Sequence, residues 1–263
     1  MKKYRILPLL LIVCLLLTAA FPAFAANSSA STAEQSPEPT ANAASDGVPQ
    51  STVQAQEGSY VLGSDTVKAA LDEQLQANCV MLVDEDSGQY YYTRNIDAKA
   101  YPASLTKIMT LLLIFEQLDS GRLSTDAVVT ASTNACAMGG SQIWLREGEQ
   151  MTVDEMIKCI AVSSANDCAV AMAEHICGSE AAFTKRMNER AQALGMENTH
   201  FLNSTGLTDD PAHYTTARDI AVMSRALLAY PRIRDYTTIW MDTVRDGQFG
   251  LSNTNKLVRF YDG

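Results

Sequence analysis

The alternation of apolar and polar positions predicts short strands at both ends of a mainly helical region. Residues 79–83 form an apolar run typical of a buried strand, and residues 90–93, after a turn at Asp86-Ser87-Gly88, read as the returning strand of a hairpin. Residues 238–244, followed by a turn at Asp246-Gly247, are predicted as a further strand. This order of elements predicts a mixed α/β domain with a helical insertion.

The helices between these strands are predicted from apolar faces and capping residues. Residues 104–118 are apolar on nearly every face, which is typical of a helix buried at the centre of a domain. The others begin at a capping side chain or end at a glycine or proline, and they are expected at residues 152–161, 165–176, 179–194 and 216–230.

The first 59 residues differ in composition from the rest. Three basic residues and an apolar run at 6–20 precede Ala23-Phe24-Ala25, so residues 1–25 are predicted to be a secretory signal peptide. Residues 26–59 lack lysine, arginine and aromatic residues, which predicts a disordered linker. The folded domain is therefore expected at residues 60–263, in a protein secreted across the cytoplasmic membrane.

Composition and charge narrow the class of protein. With 47% hydrophobic and 19% charged residues, the chain is expected to have a real core, which excludes collagen, a coiled coil or full disorder. The net charge is −10, and it becomes −13 if the leader with its three basic residues is removed. Such an acidic chain is a poor electrostatic partner for nucleic acid or an anionic membrane.

Cysteine and histidine patterns give no metal or redox site. An odd number of cysteines remains after the leader, and no C-x-x-C, H-E-x-x-H or G-x-S-x-G motif occurs. The histidines His175, His200 and His213 form no close pair and are expected to be satisfied surface or core residues. Buried free thiols are expected at Cys136, Cys159, Cys168 and Cys177.

The clearest chemistry lies in the tetrapeptide Ser104-Leu-Thr-Lys107. Its spacing puts Ser104 and Lys107 on one face of the predicted central helix. Backbone N–H groups and the positive end of the helix dipole lie beside a serine at this position, where they suit an oxyanion. Burial lowers the pKa of a lysine, and a neutral Lys107 can take the proton of the Ser104 hydroxyl. The pair is therefore a candidate nucleophile and base.

A second hydroxyl and an amide are expected near this pair, and two Ser-x-Asn triplets could supply them. Ser132-Thr-Asn134 lies in a predicted loop before two glycines. Ser164-Ala-Asn166 lies at the junction of two predicted helices, where a short turn can direct side chains into a cleft. We therefore prefer Ser164 and Asn166 as the candidates.

Four segments resemble the motifs of the serine D-alanyl-D-alanine carboxypeptidases, which are low-molecular-weight penicillin-binding proteins. Residues 101–110 (YPASLTKIMT) resemble the nucleophile motif, and residues 163–173 (SSANDCAVAMA) are similar to the second motif. Residues 198–207 and 253–257 also match the family pattern. The resemblance, over about residues 60–263, implies a β-lactamase/transpeptidase-like α/β (α+β) fold: an antiparallel sheet flanked by helices, plus a helical subdomain.

The resemblance also implies a mechanism and a place of action. Ser104 would attack the carbonyl between the two terminal D-alanines of a peptidoglycan stem peptide, with Lys107 as the base. Ser164 would relay the proton to the leaving amine, and Asn166 would orient the substrate or the lysine. Penicillins would acylate Ser104 as substrate mimics. No metal or other cofactor would be needed, and the protein would work at the cell wall, held to the membrane only by its leader or a C-terminal anchor.

The chain departs from the family at the third motif, Lys-Ser/Thr-Gly. No such triplet occurs in the 263 residues, and Lys256 is followed by Leu257-Val258. In the family that lysine would bind the substrate carboxylate and help keep Lys107 neutral. The expectation is therefore a chain truncated before this motif, with an incomplete sheet, an unpaired edge at residues 79–93, and little or no turnover.

Three other interpretations are compatible with parts of the sequence. A class A β-lactamase shares these motifs, but it needs a Glu four residues before an Asn, and Thr199 stands at that distance from Asn203 while Glu197 is out of register. A non-catalytic wall- or penicillin-binding module is favoured only by the absent third motif. An unrelated secreted helical protein is the least favoured interpretation.

Overall fold

The computed structural model describes Leu11–Cys14 and residues 65–261. The predicted linker lies outside the described residues, and so does the predicted signal peptide except for Leu11–Cys14.

The largest sheet is antiparallel and has the strand order β1 (Leu11–Cys14), β2 (Val80–Val83), β3 (Tyr90–Arg94). The predicted hairpin is confirmed, with Val80 opposite Arg94. The expected unpaired edge is only partly found: β1 pairs with the second edge of β2, whereas β3 remains an edge strand among the described residues. Since β1 lies inside the predicted leader, cleavage after Ala25 would remove this pairing and leave the backbone groups of that edge free.

Two further antiparallel pairs flank the helical region. They are β4 (Val128–Thr130) with β5 (Gln150–Thr152), and β6 (Met241–Val244) with β7 (Phe249–Ser252). The strand predicted at 238–244 is only partly correct, because it begins at Met241. Residues 238–240 instead connect it to a short helix at residues 233–237.

The helices of the described chain agree with the capping residues. They are α1 (Asp65–Gln74), α2 (Thr106–Asp119), α3 (Thr133–Cys136), α4 (Val153–Ser163), α5 (Asn166–Cys177), α6 (Glu180–Ala193), α7 (Ala217–Leu228), α8 (Ile233–Thr237) and α9 (Leu257–Phe260). Thr152 and Glu155 form both bonds of the predicted capping box, and Ser179 and Thr216 cap the helices that follow them. The antiparallel strands with these helices confirm the mixed α/β class.

The α2 helix is the centre of the domain, as its apolar sequence predicts. It contacts α4, α5, α6 and α7, and the side chains of Met109, Leu112 and Ile114 are fully buried. Within residues 65–261, no helix is both long and apolar enough to span a membrane.

The cysteine prediction is correct for two of its four thiols. Cys159 and Cys168 are free and fully buried on neighbouring helices, whereas Cys136 and Cys177 are free but only partly buried.

Candidate active site

Ser104 and Lys107 meet at the start of the central helix, but Ser104 precedes the helix rather than opening it. Ala103–Leu105 form a short 3-10 turn, and α2 begins at Thr106. The Ser104 side chain is exposed and makes no capping hydrogen bond. Lys107 Nζ donates to Ser104 Oγ at 3.3 Å, so the predicted pair is formed.

Lys107 is a buried lysine whose acceptors carry no charge. Its residue is 3% exposed, and Nζ also donates to the Thr205 carbonyl at 3.0 Å. Burial lowers the pKa of Lys107 to about 8. At pH 7 about one molecule in ten then holds Lys107 as a neutral amine, far more than an exposed lysine with a pKa near 10.4 would give.

The Thr205 carbonyl, which accepts the hydrogen bond from Lys107, belongs to a tight turn at residues 203–206. Asn203 Oδ1 organises this turn by accepting from the backbone N–H groups of Thr205 (3.1 Å) and Gly206 (2.7 Å). Gly206 has φ +81°, and a Cβ built there would lie 1.8 Å from the carbonyl oxygen of Ala103. Glycine is therefore required both by the backbone angle and by the direct contact with the turn that carries Ser104.

Neighbouring helices hold this turn in place. Thr110 Oγ1, one turn after Lys107 on α2, donates to the Ser204 carbonyl at 2.6 Å. On the other side, Glu180 Oε1 accepts from both the backbone N–H (3.0 Å) and the hydroxyl (2.6 Å) of Ser204. Thr205 is thus positioned by a polar network rather than by a free loop.

Ser164 and Asn166 lie at the junction of α4 and α5, as predicted. Ser164 ends α4 with φ +56°, and Asn166 begins α5. Asn166 Nδ2 donates to the Gly139 carbonyl at 2.7 Å, which fixes the amide. Ser164 Oγ and Asn166 Oδ1 are both buried without a hydrogen-bond partner. Since an unpaired buried polar atom costs about 1–3 kcal/mol, these two atoms are candidates for a bound substrate or water.

The turn at 203–206 and the residue after it connect the two halves of the site. A Cβ built on Gly140 would lie 2.9 Å from Asn166 Nδ2 and 3.6 Å from the Leu207 side chain, so these three residues are neighbours. Leu207 directly follows Gly206, which contacts the Ser104 turn. Ser164 itself makes no hydrogen bond to Ser104 or Lys107 in this arrangement.

The alternative triplet, Ser132 to Asn134, is used by the fold. Its serine caps α3, and its hydroxyl donates to Glu174 Oε2 at 2.5 Å. Asn134 Nδ2 donates to the other oxygen of the same carboxylate at 2.8 Å. The polar groups of Ser132 and Asn134 thus have partners in the fold, whereas Ser164 Oγ and Asn166 Oδ1 have none.

Two residues of the site lacked an assigned role in the sequence. Thr205 lies inside the segment 198–207, which matches the family pattern, but nothing in that pattern indicates that its carbonyl accepts a hydrogen bond from Lys107. His213, expected to be a satisfied core or surface residue, is buried and bonded to Thr106, beside Lys107. Across residues 65–261, no group of three His, Cys, Asp or Glu residues is arranged to hold a metal ion.

Comparison with known proteins decides the family. Residues 65–262 match the peptidase family model described as D-alanyl-D-alanine carboxypeptidase. The chain belongs to the D-alanyl-D-alanine carboxypeptidase family. The carboxypeptidase DacF of Bacillus subtilis (strain 168) is 48% identical over 191 residues, which cover 72% of this chain and 49% of the relative. DacA of Escherichia coli (strain K12) is 37% identical over 161 residues, 59% of this chain and 40% of the relative. The chain thus spans about half the length of these carboxypeptidases.

Solved structures of a D-alanyl-D-alanine carboxypeptidase and of penicillin-binding proteins have the same fold. DacD from Francisella tularensis superposes with a TM-score of 0.67 at 28% identity, covering 72% of this chain and 58% of that one. Penicillin-binding protein 6B from Escherichia coli gives 0.65 at 32% identity, covering 69% and 58%. Penicillin-binding protein D2 from Listeria monocytogenes in its ampicillin-bound form gives 0.62 at 27% identity, covering 70% and 74%. The β-lactamase and non-catalytic interpretations are not favoured by these matches.

Proposed function

We propose that the chain carries the nucleophilic half of a penicillin-sensitive serine carboxypeptidase that removes the terminal D-alanine from peptidoglycan stem peptides. The observation that carries the proposal is the Lys107 amine, buried, low in pKa and bonded to an exposed Ser104 hydroxyl. A nucleophile of this kind needs an adjacent base that is neutral near the working pH. Family membership supplies the reaction class.

Each residue of the site has a proposed role in acyl transfer. Neutral Lys107 accepts the Ser104 proton as Oγ attacks the carbonyl between the two D-alanines. Ser164, whose hydroxyl is unpaired, relays that proton from Lys107 to the leaving amine, so that the Ser164 hydroxyl and the neutral Lys107 are both restored. Asn166 presents its unpaired Oδ1 to the substrate while Gly139 holds its Nδ2. Water then releases the shortened peptide from Ser104, and β-lactams acylate the same oxygen.

The place of action is part of the proposal. Residues 1–25 would export the chain and residues 26–59 would separate residues 60–263 from the membrane, so that the site meets wall peptides outside the cytoplasm. Enzymes that act on peptidoglycan need this location.

Acylation by penicillin tests the nucleophile directly. The purified chain is incubated with a millimolar concentration of a fluorescent penicillin, and the adduct is located by peptide mass spectrometry. We expect the label on Ser104 and its loss in Ser104→Ala. A folded wild-type chain whose label is elsewhere, or absent after overnight incubation, would refute the proposal.

The two Ser-x-Asn triplets offer a matched control. Asn166→Ala is expected to slow labelling at least tenfold, because it removes an amide from the site. Asn134→Ala, which breaks only the bond to Glu174, is expected to leave the labelling rate unchanged. An adduct that lasts for hours favours the carboxypeptidase, whereas loss within milliseconds would favour a β-lactamase.

A further inference from the structure

His213 joins the chain in front of the 203–206 turn to the first turn of α2. The residue is 1% exposed. Its Nδ1 accepts the backbone N–H of Leu202 at 3.0 Å, and its Nε2 lies 2.8 Å from Thr106 Oγ1. Because Nδ1 is an acceptor, the ring proton of the neutral imidazole is on Nε2, which donates to Thr106.

The two hydrogen bonds of His213 hold the segments on both sides of the contact between Lys107 and the Thr205 carbonyl. Thr106 directly precedes Lys107 and is fully buried. Leu202 directly precedes Asn203, whose side chain organises the turn that carries the Thr205 carbonyl. The imidazole therefore links the segment that carries the Thr205 carbonyl to the first turn of α2, which carries the Lys107 amine.

We propose that His213 is a positioning residue for the Ser104–Lys107 pair, which seats the Thr205 carbonyl over Lys107 and keeps water away from the amine. The inference rests on the proposed function, in which Lys107 is the base. The orientation of the ring is itself fixed, because Phe201 packs edge-on against it with the ring centroids 5.9 Å apart.

His213 is suited to this role because it stays neutral. Burial lowers the pKa of His213 to about 4. Two titratable groups act on it from its own surroundings: the charge of His200 lowers the pKa further, and that of Asp210 raises it. The hydroxyl of Thr106 on α2 and the backbone of Leu202 carry no charge. At neutral pH Nδ1 therefore remains an acceptor and the link persists.

Loosening the link should change the pKa of Lys107 in a defined direction. Burial is the cause of its low pKa. If the 203–206 turn moves away, Lys107 loses one carbonyl but gains water, which solvates an ammonium group better than a single carbonyl does. Its pKa should therefore rise toward the ordinary value of about 10.4.

Nuclear magnetic resonance of the 263-residue chain with ¹³Cε-labelled lysine measures this pKa without any turnover. The Lys107 resonance is identified by its absence in Lys107→Arg. We expect titration near 8 in the wild type and about one unit higher in His213→Asn, whose shorter side chain cannot reach Thr106. Thr106→Val removes the hydroxyl with little change of shape, and it should raise the Lys107 pKa in the same way if His213→Asn fails to fold.

His200→Asn is the matched control, because His200 bonds to the Ala212 carbonyl and not to α2. It should leave the Lys107 pKa within about 0.3 units of wild type, well inside the one-unit change expected for lost burial. A Lys107 pKa that is low in the wild type and unchanged in folded His213→Asn and Thr106→Val would overturn the role of His213 alone. A wild-type pKa above 10 would instead overturn the neutral base of the proposed function.

Discussion

The contact of Gly206 with the Ser104 turn is open to a direct test by Gly206→Ala. The added Cβ would lie 1.8 Å from the Ala103 oxygen and 2.5 Å from its carbonyl carbon. Normal carbon–oxygen contacts are about 3.3 Å, so the turn must move by more than 1 Å. Such a displacement separates the Thr205 carbonyl from Lys107 and disturbs the backbone next to Ser104.

The magnitude follows from the two costs of this substitution. Alanine at a left-handed backbone angle costs about 1–2 kcal/mol. Losing a hydrogen bond to a charged group adds about 1.5–3 kcal/mol. The free energy of unfolding should therefore fall by about 2.5–5 kcal/mol.

Gly247→Ala isolates the steric contribution. Gly247 has φ +83°, almost the same as Gly206, but no atom lies within 4 Å of a Cβ built there. The control should lose only the backbone cost, about 1–2 kcal/mol. For a domain of this size the Gly206→Ala variant should then melt roughly 5–10 °C below the control, measured by circular dichroism at pH 7. Equal losses in the two variants would refute the close approach of the turn to Ala103.

Three further predictions concern buried ionisable groups. Asp167→Asn should lower the free energy of unfolding by about 2–4 kcal/mol in urea titrations. The buried carboxylate accepts the N–H groups of Ile143 and Leu145 at Oδ2 and that of Cys168 at Oδ1, so an amide nitrogen at either position would face an N–H donor. No loss of stability would contradict this pairing. Lys107→Met should abolish labelling of Ser104 yet stabilise the fold by roughly 1–3 kcal/mol at pH 7, because the wild type buries an ammonium group below pH 8. This gain in stability should vanish above about pH 10.5, where the lysine is neutral in both the folded and the unfolded chain. Equal stability of the two proteins at pH 7 would argue against the buried charge. Because the pKa of His213 is lowered in the folded chain, the stability that neutral His213 contributes is complete above about pH 6.5 and is lost as the pH falls toward 4. Between pH 7 and pH 4, the free energy of unfolding of the wild type should therefore fall by roughly 2–3 kcal/mol more than that of His213→Asn. Parallel curves of stability against pH for the two proteins would contradict the low pKa of His213.

Local signals in the sequence were sufficient for much of the helical region. The capping box of Thr152 and Glu155, and the serine and threonine caps of α6 and α7, act within four residues of each other, so spacing alone reveals them. The pairing of Ser104 with Lys107 is equally local. The strand prediction at 238–244 is correct only from Met241 onward. Residues 238–240 directly follow α8, where Tyr236 packs edge-on against Phe115 of the core, so their β-branched residues do not extend the strand.

The acceptor of Lys107 could not be derived from periodicity. Thr205 lies 98 residues away along the chain, and it contributes a carbonyl, which every residue type possesses. His213 lies 107 residues from Thr106 and resembles any satisfied core histidine until its two partners are known. The match of residues 198–207 to the family pattern indicated that this segment matters. Its contact with Lys107 is known only from the folded structure, in which the 203–206 turn packs against α2.

The absence of charge at Thr205 explains why a backbone group serves in this position. Another lysine of the chain shows the alternative: Lys158 Nζ lies 2.8 Å from the carboxylate of Asp242, and that bond raises the pKa of Lys158. A carboxylate at the same distance from Lys107 would likewise hold the ammonium form and remove the base. A carbonyl fixes the amine in place but compensates its burial only in part, so the pKa falls. The buried helix and the uncharged turn are therefore both needed for the low pKa of Lys107.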